Sequence, residues 1–502
     1  MRRPLLNLIS NVTLQLVTAI SGLILPRLIL LAYGSETNGL VASVSQFLTY
    51  LALVETGIAA ASMVGLYKPL VEKNIKQINA VLAATKLYYQ QAGILYLILL
   101  SLFVLSYPLL VSSTFNILTC RLLIIVLALI NLTDYFVLGK YRVLLEADQR
   151  GYVLSIFQIF AVVLRLIVSI VLIDIGYDIV AVMAVSTFVY ILRVVAIISY
   201  VRRAYPLLNF NVKPNTGALS ERWGALVHQI SGVVLNNSNV VILTLCLTGS
   251  VLSEISVYFI YASVVTIGTA LCNAIASALV PFVARILRSH SKEDVYQIYS
   301  VIEFWYLIIF SIFSASLFVL YVPFIELYTH GVSDTNYVRY EVGYLFTLIF
   351  FLQNLRIPGL IFIAARGDFR KTQNRAILEA LINLVLAIPL VLISGLQGAL
   401  IATIVAFVFS TYHVFWYVNR FVLNNLAQTV KRIFRSLILI SICIGVGEWL
   451  LQVFLEPSFI NWIICGVLLV LISLPIHLLG NFFFESNQYK QLTKLILHKN
   501  EQ

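Results

Sequence analysis

The feature that most constrains this chain is a repeated pattern of long apolar runs joined by short polar segments. The first example covers residues 22–80, where a break at about Tyr33–Asn38 separates two runs that are each long enough to cross a bilayer. Such a pair predicts a transmembrane hairpin. Each run also carries one ionisable residue, Arg27 in the first and Glu55 in the second. Because a charge at membrane depth is costly, both should face protein or a water-filled cavity.

Composition places the whole chain in the same class. Hydrophobic residues make up 61% of the sequence and charged residues 11%, whereas a soluble protein carries about 25% charged residues. We therefore predict an all-α integral membrane protein with about fourteen transmembrane helices. The predicted helices cover residues 5–32, 39–66, 80–111, 119–138, 152–174, 179–201, 224–248, 254–284, 296–324, 341–365, 374–394, 397–420, 434–454 and 459–483.

The basic residues test this layout, because short cytoplasmic loops are enriched in lysine and arginine. If the N-terminus lies inside, every predicted inner segment is basic and the outer turns hold almost no basic residues. Two of these inner segments contain Lys68, Lys73 and Lys76, and Lys140, Arg142 and Arg150. We therefore predict an even number of helices with both termini cytoplasmic. The basic residues behind the net charge of +11 then set the topology through their place in the inner loops, and no nucleic-acid partner is expected.

The sequence also argues against several classes of enzyme and metal protein. The five cysteines are dispersed without a C-x-x-C spacing, so neither a disulfide framework nor a metal site is indicated. The longest predicted loop has roughly twenty residues, well below the roughly 40 that an independent domain needs. No G-x-x-x-x-G-K-[ST] phosphate loop is present. We expect a protein that is not an enzyme, has no ATPase of its own and requires no cofactor.

An internal repeat divides the chain. Residues 28–47 and 243–262 align without gaps at an offset of 215, and both contain an apolar run, Gly-Ser, a short polar turn and a second apolar run. Since the first and seventh predicted helices start on the same side, the two halves should be parallel repeats. The predicted domains are an N-terminal six-helix bundle (1–204), a cytoplasmic linker (205–223), a C-terminal six-helix bundle (224–423), and two extra helices with a cytoplasmic tail (424–502).

The second hairpin helix resembles a known family. YGSETNGLVASVSQFLTYLALVETGIAAAS is similar to the G-x-x-x-x-G-(~15)-[DE]-x-G signature of bacterial polysaccharide flippases. These are the O-antigen and capsule repeat-unit exporters of the multidrug/oligosaccharidyl-lipid/polysaccharide superfamily. Gly34, Gly39, Glu55 and Gly57 carry the match.

The resemblance implies a fold and a function. Such proteins form two six-helix bundles around a central cavity, with two further C-terminal helices. They move an undecaprenyl-diphosphate-linked oligosaccharide across the bacterial cytoplasmic membrane by alternating access. The implied partners are this lipid-linked substrate, membrane lipids, the polymerase and other polysaccharide-assembly proteins. The chain departs from many relatives in its seventh helix, where Asn236, Asn237 and Asn239 stand in a run that often carries an aspartate.

Three arginines in predicted helices are candidate substrate-binding residues, because the planar guanidinium binds phosphate oxygens in pairs. Arg165 is deepest, and the alternative is a structural pair with an acid such as Glu55 or Asp134. Arg27 is a cavity residue or a cation reaching the interface. Arg356, just before Pro358, is a cavity residue or a structural one.

Five polar residues complete the predicted site. Glu55 is interpreted as the ion-pair partner of a cavity arginine or as a proton site. His228, Gln229, Asn236 and Asn239 share a broad face of the seventh helix. That stripe either lines a cavity or makes hydrogen bonds between helices.

Three other functions stay open at this stage. A cation-coupled drug antiporter of the same fold would need acids in its cavity, whereas the deep charges here are mostly arginines. A flippase for the peptidoglycan precursor would use the same chemistry. A membrane glycan polymerase would need a catalytic outer loop, and the longest one contains Glu326, His330, Asp334, Arg339 and Glu341.

Overall fold

A computed structural model describes residues 2–111, 115–219, 222–247, 249–289, 292–420, 426–453 and 458–497. These residues are helical almost throughout and contain no strand, which confirms the all-α prediction. The helices are α1 (Arg2–Leu51), α2 (Ile58–Val71), α3 (Ile75–Val111), α4 (Ile117–Thr133), α5 (Gly139–Ala147), α6 (Gly151–Ile175), α7 (Ile179–Ile191), α8 (Arg193–Ala204), α9 (Arg222–Cys246), α10 (Val251–Ser289), α11 (Lys292–Tyr328), α12 (Tyr340–Leu355), α13 (Ile357–Arg366), α14 (Phe369–Val418), α15 (Leu426–Val453) and α16 (Phe459–Leu497).

The helices divide into segments that match the predicted spans. Eleven stretches of the described chain are long and apolar enough to cross a membrane. Two of these, α1 and α14, each contain two apolar helices joined at a glycine with non-helical backbone angles, Gly34 and Gly395. With α9 as a further segment, the described chain contains fourteen, as predicted. The chain is a multi-pass membrane protein.

Gly34 forms the turn of the first hairpin. Its φ of 83° lies in the region that glycine adopts without steric cost. Ser21 and Ser45 line the same cavity, although a straight helix would separate them by about 36 Å. The chain therefore reverses at Gly34, inside the predicted break. Gly249, which the sequence repeat aligns with Gly34, also has a positive φ, of 90°.

Gly39, the second glycine of the signature, lies where α1 crosses the start of α10. A Cβ atom at this position would lie 1.8 Å from the carbonyl oxygen of Leu252. Since the obstacle is backbone, no side-chain rotation can relieve the overlap. The close approach also brings the Asn38 amide within 2.7 Å of the Ser256 hydroxyl, to which it donates a hydrogen bond.

Replacing Gly39 by alanine should therefore destabilise the protein, because the two helices must separate to admit a methyl group. Overpacking of this kind costs about 1–3 kcal/mol. The unfolding temperature of the purified, detergent-solubilised variant measures the effect. Gly445→Ala is the matched control, since nothing lies within 4 Å of a Cβ at Gly445. Equal unfolding temperatures for the two variants would contradict the close approach.

The second hairpin lies within α14 and turns at Gly395, where φ is 58° and ψ is −132°. The Asn383 amide donates a 3.0 Å hydrogen bond to the Thr403 hydroxyl. In a straight helix these residues would lie about 30 Å apart. The two arms of α14 are therefore antiparallel, which agrees with two predicted helices separated by a very short turn.

By internal packing the chain forms two compact units, Met1–Phe259 and Ile260–Gln502. The predicted domain limits at residues 204, 224 and 423 stay predictions. The first unit holds α1–α9 and the beginning of α10. The second unit holds the remainder, including the two C-terminal helices.

In the second unit, one buried arginine joins α15 and α16 to α11. Arg432 is 2% exposed. Its guanidinium lies 2.8 Å from the Glu303 carboxylate on α11 and 2.5 Å from the Glu485 carboxylate on α16. It also donates a 3.1 Å hydrogen bond to the carbonyl of Ser300. A buried guanidinium requires such partners on every side, because an uncompensated charge there is strongly unfavourable.

Candidate functional site

The first unit contains a cavity of about 330 Å³, here called the deep cavity. Both arms of the α1 hairpin line it together with α4, α6 and α7. Its lining is mainly apolar, with a few polar groups: Thr18, Ser21, Asn38, Ser45, Gln158, Arg165 and Tyr190. A mostly apolar cavity with a small number of convergent polar groups is the usual form of a ligand site.

Arg165 is the charged residue of this lining. It lies on α6 about 21 Å from the first residue of that helix and about 15 Å from the last, so it is far from both ends. Its side chain is half-buried, and its Nε atom has no hydrogen-bond acceptor. Within the described part of the chain it forms no ion pair, and its guanidinium carbon lies 5.7 Å from the centroid of the Tyr190 ring. The acidic partner that the sequence left open, Glu55 or Asp134, is not bound to Arg165.

A second cavity, of about 610 Å³, adjoins the first and is here called the polar cavity. Ile130, Gln158 and Tyr190 line both cavities, so these three residues form the boundary between them. The polar cavity lies nearer the end of the unit that carries the basic loops, here called the basic end. Its polar lining consists of Asn7, Asn11, Asp134, Arg142, Glu146, Ser155, Gln158, Tyr190 and Arg193.

Helical periodicity places these groups on common faces. On α6, Ser155, Gln158 and Arg165 follow at intervals of three and seven, so they share one side of the helix. On α1, Asn7 and Asn11 are one turn apart and line the polar cavity, whereas Thr18 and Ser21 further along line the deep cavity. The cavities therefore follow a stripe of polar and small residues along both helices.

An ion-pair network crosses the polar cavity with unusually long contacts. The Asp134 carboxylate lies 3.7 Å from Arg142 Nη1 and 3.8 Å from Arg193 Nη2. Arg142 also lies 3.4 Å from the Glu55 carboxylate and donates a 3.1 Å hydrogen bond to the Tyr89 hydroxyl. Charge-assisted hydrogen bonds are normally about 2.7–2.9 Å long. The guanidiniums are therefore only loosely compensated.

Two irregular helical turns meet beside this network. Ala52–Glu55 forms a 3₁₀ turn, and Asp134–Leu138 forms a π turn between α4 and α5. The Tyr135 hydroxyl donates a 3.1 Å hydrogen bond to the Ala52 carbonyl, which such a break in the helix leaves free. These turns carry Glu55 and Asp134, and Gly57 follows the first of them with a φ of 86°. Turns of the π type are frequent at functional sites.

Hydrogen bonds tie α1 to the α5–α6 turn where the polar cavity ends. The Asn7 amide donates to the Gln149 carbonyl at 3.0 Å and accepts from the Tyr152 N–H at 2.7 Å. In the same turn, Asp148 pairs with Arg150 at 2.8 Å and accepts a 2.5 Å hydrogen bond from the Tyr205 hydroxyl. Burial and this hydrogen bond raise the pKa of Tyr205, so the donor stays protonated.

Short polar contacts join helices at the other end of the first unit. Asn38 donates to Ser256, as described above, and the hydroxyls of Ser43 and Thr244 lie 3.0 Å apart. All four side chains are buried or nearly so. The α1 hairpin is thus held against α9 and α10 at the end remote from the basic loops.

The structure separates the three predicted arginines. Arg165 lies in the deep cavity, as described. Arg27 is half-buried on α1 close to the Gly34 turn and lines neither cavity. Arg356 is 7% exposed and lies 2.5 Å from the Glu379 carboxylate, which Arg375 also contacts at 3.0 Å. This buried pairing favours the structural alternative for Arg356, and substrate binding by Arg27 and Arg356 stays a prediction.

The predicted polar residues are also dispersed. Glu55 pairs with Arg142, which is the ion-pair role that the sequence left open. Asn239 is 3% exposed and its amide donates a 3.3 Å hydrogen bond to the Tyr258 hydroxyl on α10, which favours interhelical bonding. The side chains of His228, Gln229 and Asn236 lie outside the described part of the structure, and only their helical backbone in α9 is placed.

Sequence reasoning missed several residues of this site. Arg142 was assigned to a basic inner loop, but helical structure continues from α4 through α5 and places its side chain in the polar cavity. Arg193, Gln158 and Tyr190 are not among the predicted site residues either. The available signal was the polar stripe of α6, where Gln158 precedes Arg165 by seven residues.

Sequence comparison identifies relatives of one family. The profile of the polysaccharide biosynthesis protein family matches residues 5–287, more than half of the chain. This match confirms the resemblance seen in the signature of the first hairpin. A search of curated proteins found no significant match.

Solved structures share the fold across nearly the whole chain. The lipid II flippase MurJ in an inward closed conformation has a TM-score of 0.68 at 15% identity, over 95% of this chain and 99% of that one. An inward-facing multidrug resistance MATE transporter of the MOP superfamily has a TM-score of 0.60 at 12% identity, over 82% and 95%. A MATE protein in the bent conformation has a TM-score of 0.54 at 13% identity, over 86% and 99%. At these identities the likeness shows the fold alone.

Proposed function

We propose that this chain, which belongs to the polysaccharide biosynthesis protein family, is a flippase for a lipid-linked oligosaccharide. The substrate is an undecaprenyl-diphosphate-linked repeat unit of an O-antigen or capsule. The flippase moves it across the bacterial cytoplasmic membrane by alternating access. The observation that carries the proposal is Arg165, a half-buried guanidinium without an ion pair in the described structure, facing a cavity far from both ends of α6.

A guanidinium in this position requires an anion. An uncompensated charge inside a membrane is rare and marks a substrate or ion pathway. A diphosphate is the matching group, because its oxygens accept paired hydrogen bonds from guanidinium. The Tyr190 ring lies 5.7 Å from Arg165 and 4.2 Å from Arg193, which brings the two cations near the same point. The two phosphates of a diphosphate can therefore bind one arginine each, Arg165 and Arg193.

The adjoining polar cavity suits the sugars. Hydroxyl-rich sugars need amide, carboxylate and hydroxyl partners, and Asn7, Asn11, Ser155 and Gln158 line its wall. The polar cavity lies near the basic end. If the basic loops are cytoplasmic, this is the side of the membrane on which the lipid-linked oligosaccharide is made. The lipid tail has no partner in such a polar space and stays in the bilayer.

The deep cavity disfavours a drug antiporter, although MATE transporters share the fold. A cationic drug would be repelled by Arg165, which no described acid neutralises. The peptidoglycan precursor is a lipid diphosphate as well, so it would meet the same arginines. Substrate competition distinguishes these two glycan functions.

Transport into vesicles tests the proposal directly. The purified protein is reconstituted in liposomes with an undecaprenyl-diphosphate-linked oligosaccharide that carries a fluorescent sugar. The fraction protected from a membrane-impermeant quencher is then followed with time. We expect exchange between leaflets at least about tenfold faster than in empty liposomes. Exchange no faster than in empty liposomes would refute the flippase function, and preference for the peptidoglycan precursor would reassign its substrate.

A further inference from the structure

We propose that Asp134 is an internal counter-ion that the substrate's phosphate displaces from Arg142 and Arg193. This inference rests on the proposed function. In the structure the Asp134 carboxylate lies between the two guanidiniums, one oxygen directed to each. Asp134 therefore occupies the place of an anion that both arginines can share.

The Asp134 side chain is too short to reach both guanidiniums at normal hydrogen-bonding distance. Its contacts of 3.7 and 3.8 Å are about 1 Å longer than charge-assisted hydrogen bonds. Its Oδ1 atom is buried and accepts no hydrogen bond within the described structure. Two guanidiniums held at this separation fit a larger anion with more oxygen atoms. A phosphate has that size and can bond to both at once.

Displacement needs a backbone that can move and a space that can receive the carboxylate. Asp134 begins the π turn Asp134–Leu138, where the regular helical hydrogen bonds are interrupted. It also lines the polar cavity, which offers about 610 Å³. After displacement, Arg142 retains Glu55 and the Tyr89 hydroxyl, whereas Arg193 retains the Tyr190 ring.

The exchange has a function in a transport cycle. When substrate is absent, Asp134 keeps two membrane-embedded cations compensated, which an empty site would leave exposed at a high energetic cost. When substrate is bound, the returning carboxylate competes with the phosphate and promotes release. Asp134 is thus a positioning residue that sets the affinity of the site.

Two substitutions with opposite expected effects test this role. Binding of farnesyl diphosphate to the purified full-length protein in detergent is measured by calorimetry, with farnesol as the uncharged control. Asp134→Asn removes the competing charge and should lower Kd about tenfold. Asp134→Glu extends the carboxylate by about 1.5 Å, strengthens both ion pairs and should raise Kd several-fold. A purely structural role predicts weaker binding for both variants.

Control variants distinguish a failure of the counter-ion role from a failure of the proposed flippase function. Asp174→Asn, on the exposed end of α6, should leave Kd unchanged. In an Arg193→Ala background, Asp134→Asn should have a much smaller effect, because coupled residues are not additive. If the wild type binds the diphosphate but Asp134→Asn does not bind it more tightly, or Asp134→Glu does not weaken it, the counter-ion role is wrong and the flippase proposal stands. If the wild type fails to bind it, both are wrong.

Discussion

Replacing Arg165 by alanine is expected to abolish transport and to leave the protein folded. The substitution removes the deep cation that is proposed to hold a phosphate. Each charge-assisted hydrogen bond contributes about 1.5–3 kcal/mol, so losing a paired contact should reduce transport by at least about 100-fold. Stability should hardly change, since Arg165 forms no ion pair in the described structure. Polymer at the cell surface and flippase level in the membrane measure the two effects.

Two matched arginine variants make this result specific. Arg165→Lys retains the charge but loses the planar fork, so partial transport is expected. Arg432→Ala breaks the buried network in the second unit and should cost about 3–5 kcal/mol in stability. Arg432→Ala should therefore lower the amount of flippase in the membrane, whereas Arg165→Ala should lower transport at an unchanged amount of protein. Normal surface polymer with Arg165→Ala at wild-type protein level would remove Arg165 from the mechanism.

Filling the deep cavity should have a comparably large effect without any change of charge. Gly22 lines this cavity, and nothing lies within 4 Å of a Cβ placed there. Gly22→Trp should occupy much of the space beside Arg165 and reduce transport at least about tenfold, whereas binding of the sugars alone would be less affected. Gly22→Ala leaves the cavity open and should stabilise α1 by about 1 kcal/mol, because alanine favours helix over glycine.

A tryptophan placed outside both cavities controls for the size of the added side chain. Gly445, on α15, likewise has nothing within 4 Å of an added Cβ and lines neither cavity. Gly445→Trp should transport normally in the vesicle assay. If Gly22→Trp also transports at the wild-type rate, the deep cavity is not on the substrate's route.

Sequence reasoning predicted the fold well because the membrane leaves few choices. Backbone polar groups cannot remain unpaired in hydrocarbon, so each long apolar run must form a helix. Turns followed from residues with special geometry: Gly34 permits the reversal of α1, and Gly39 permits its approach to α10. The same glycines carry the family signature, so the signature and the hairpin depend on the same residues.

The site was predicted less well, because ion pairing depends on which helices touch. Arg165 and Arg356 look alike in sequence, each a single arginine in an apolar run. Only packing shows that Glu379 pairs with Arg356 and that no described acid reaches Arg165. Arg142 was missed for a different reason. A basic residue near a helix end resembles a loop residue, and the helical continuation through α5 is visible only in three dimensions.

The network around Arg432 has a consequence for the last two helices. Because one guanidinium is shared by Glu303 and Glu485, α11 and α16 cannot separate without leaving one of these carboxylates without Arg432. These helices must travel as a single piece through any transport cycle. The two C-terminal helices are therefore needed for the stability of the second unit, because a chain truncated before α15 would leave the buried Glu303 carboxylate on α11 without its guanidinium partner.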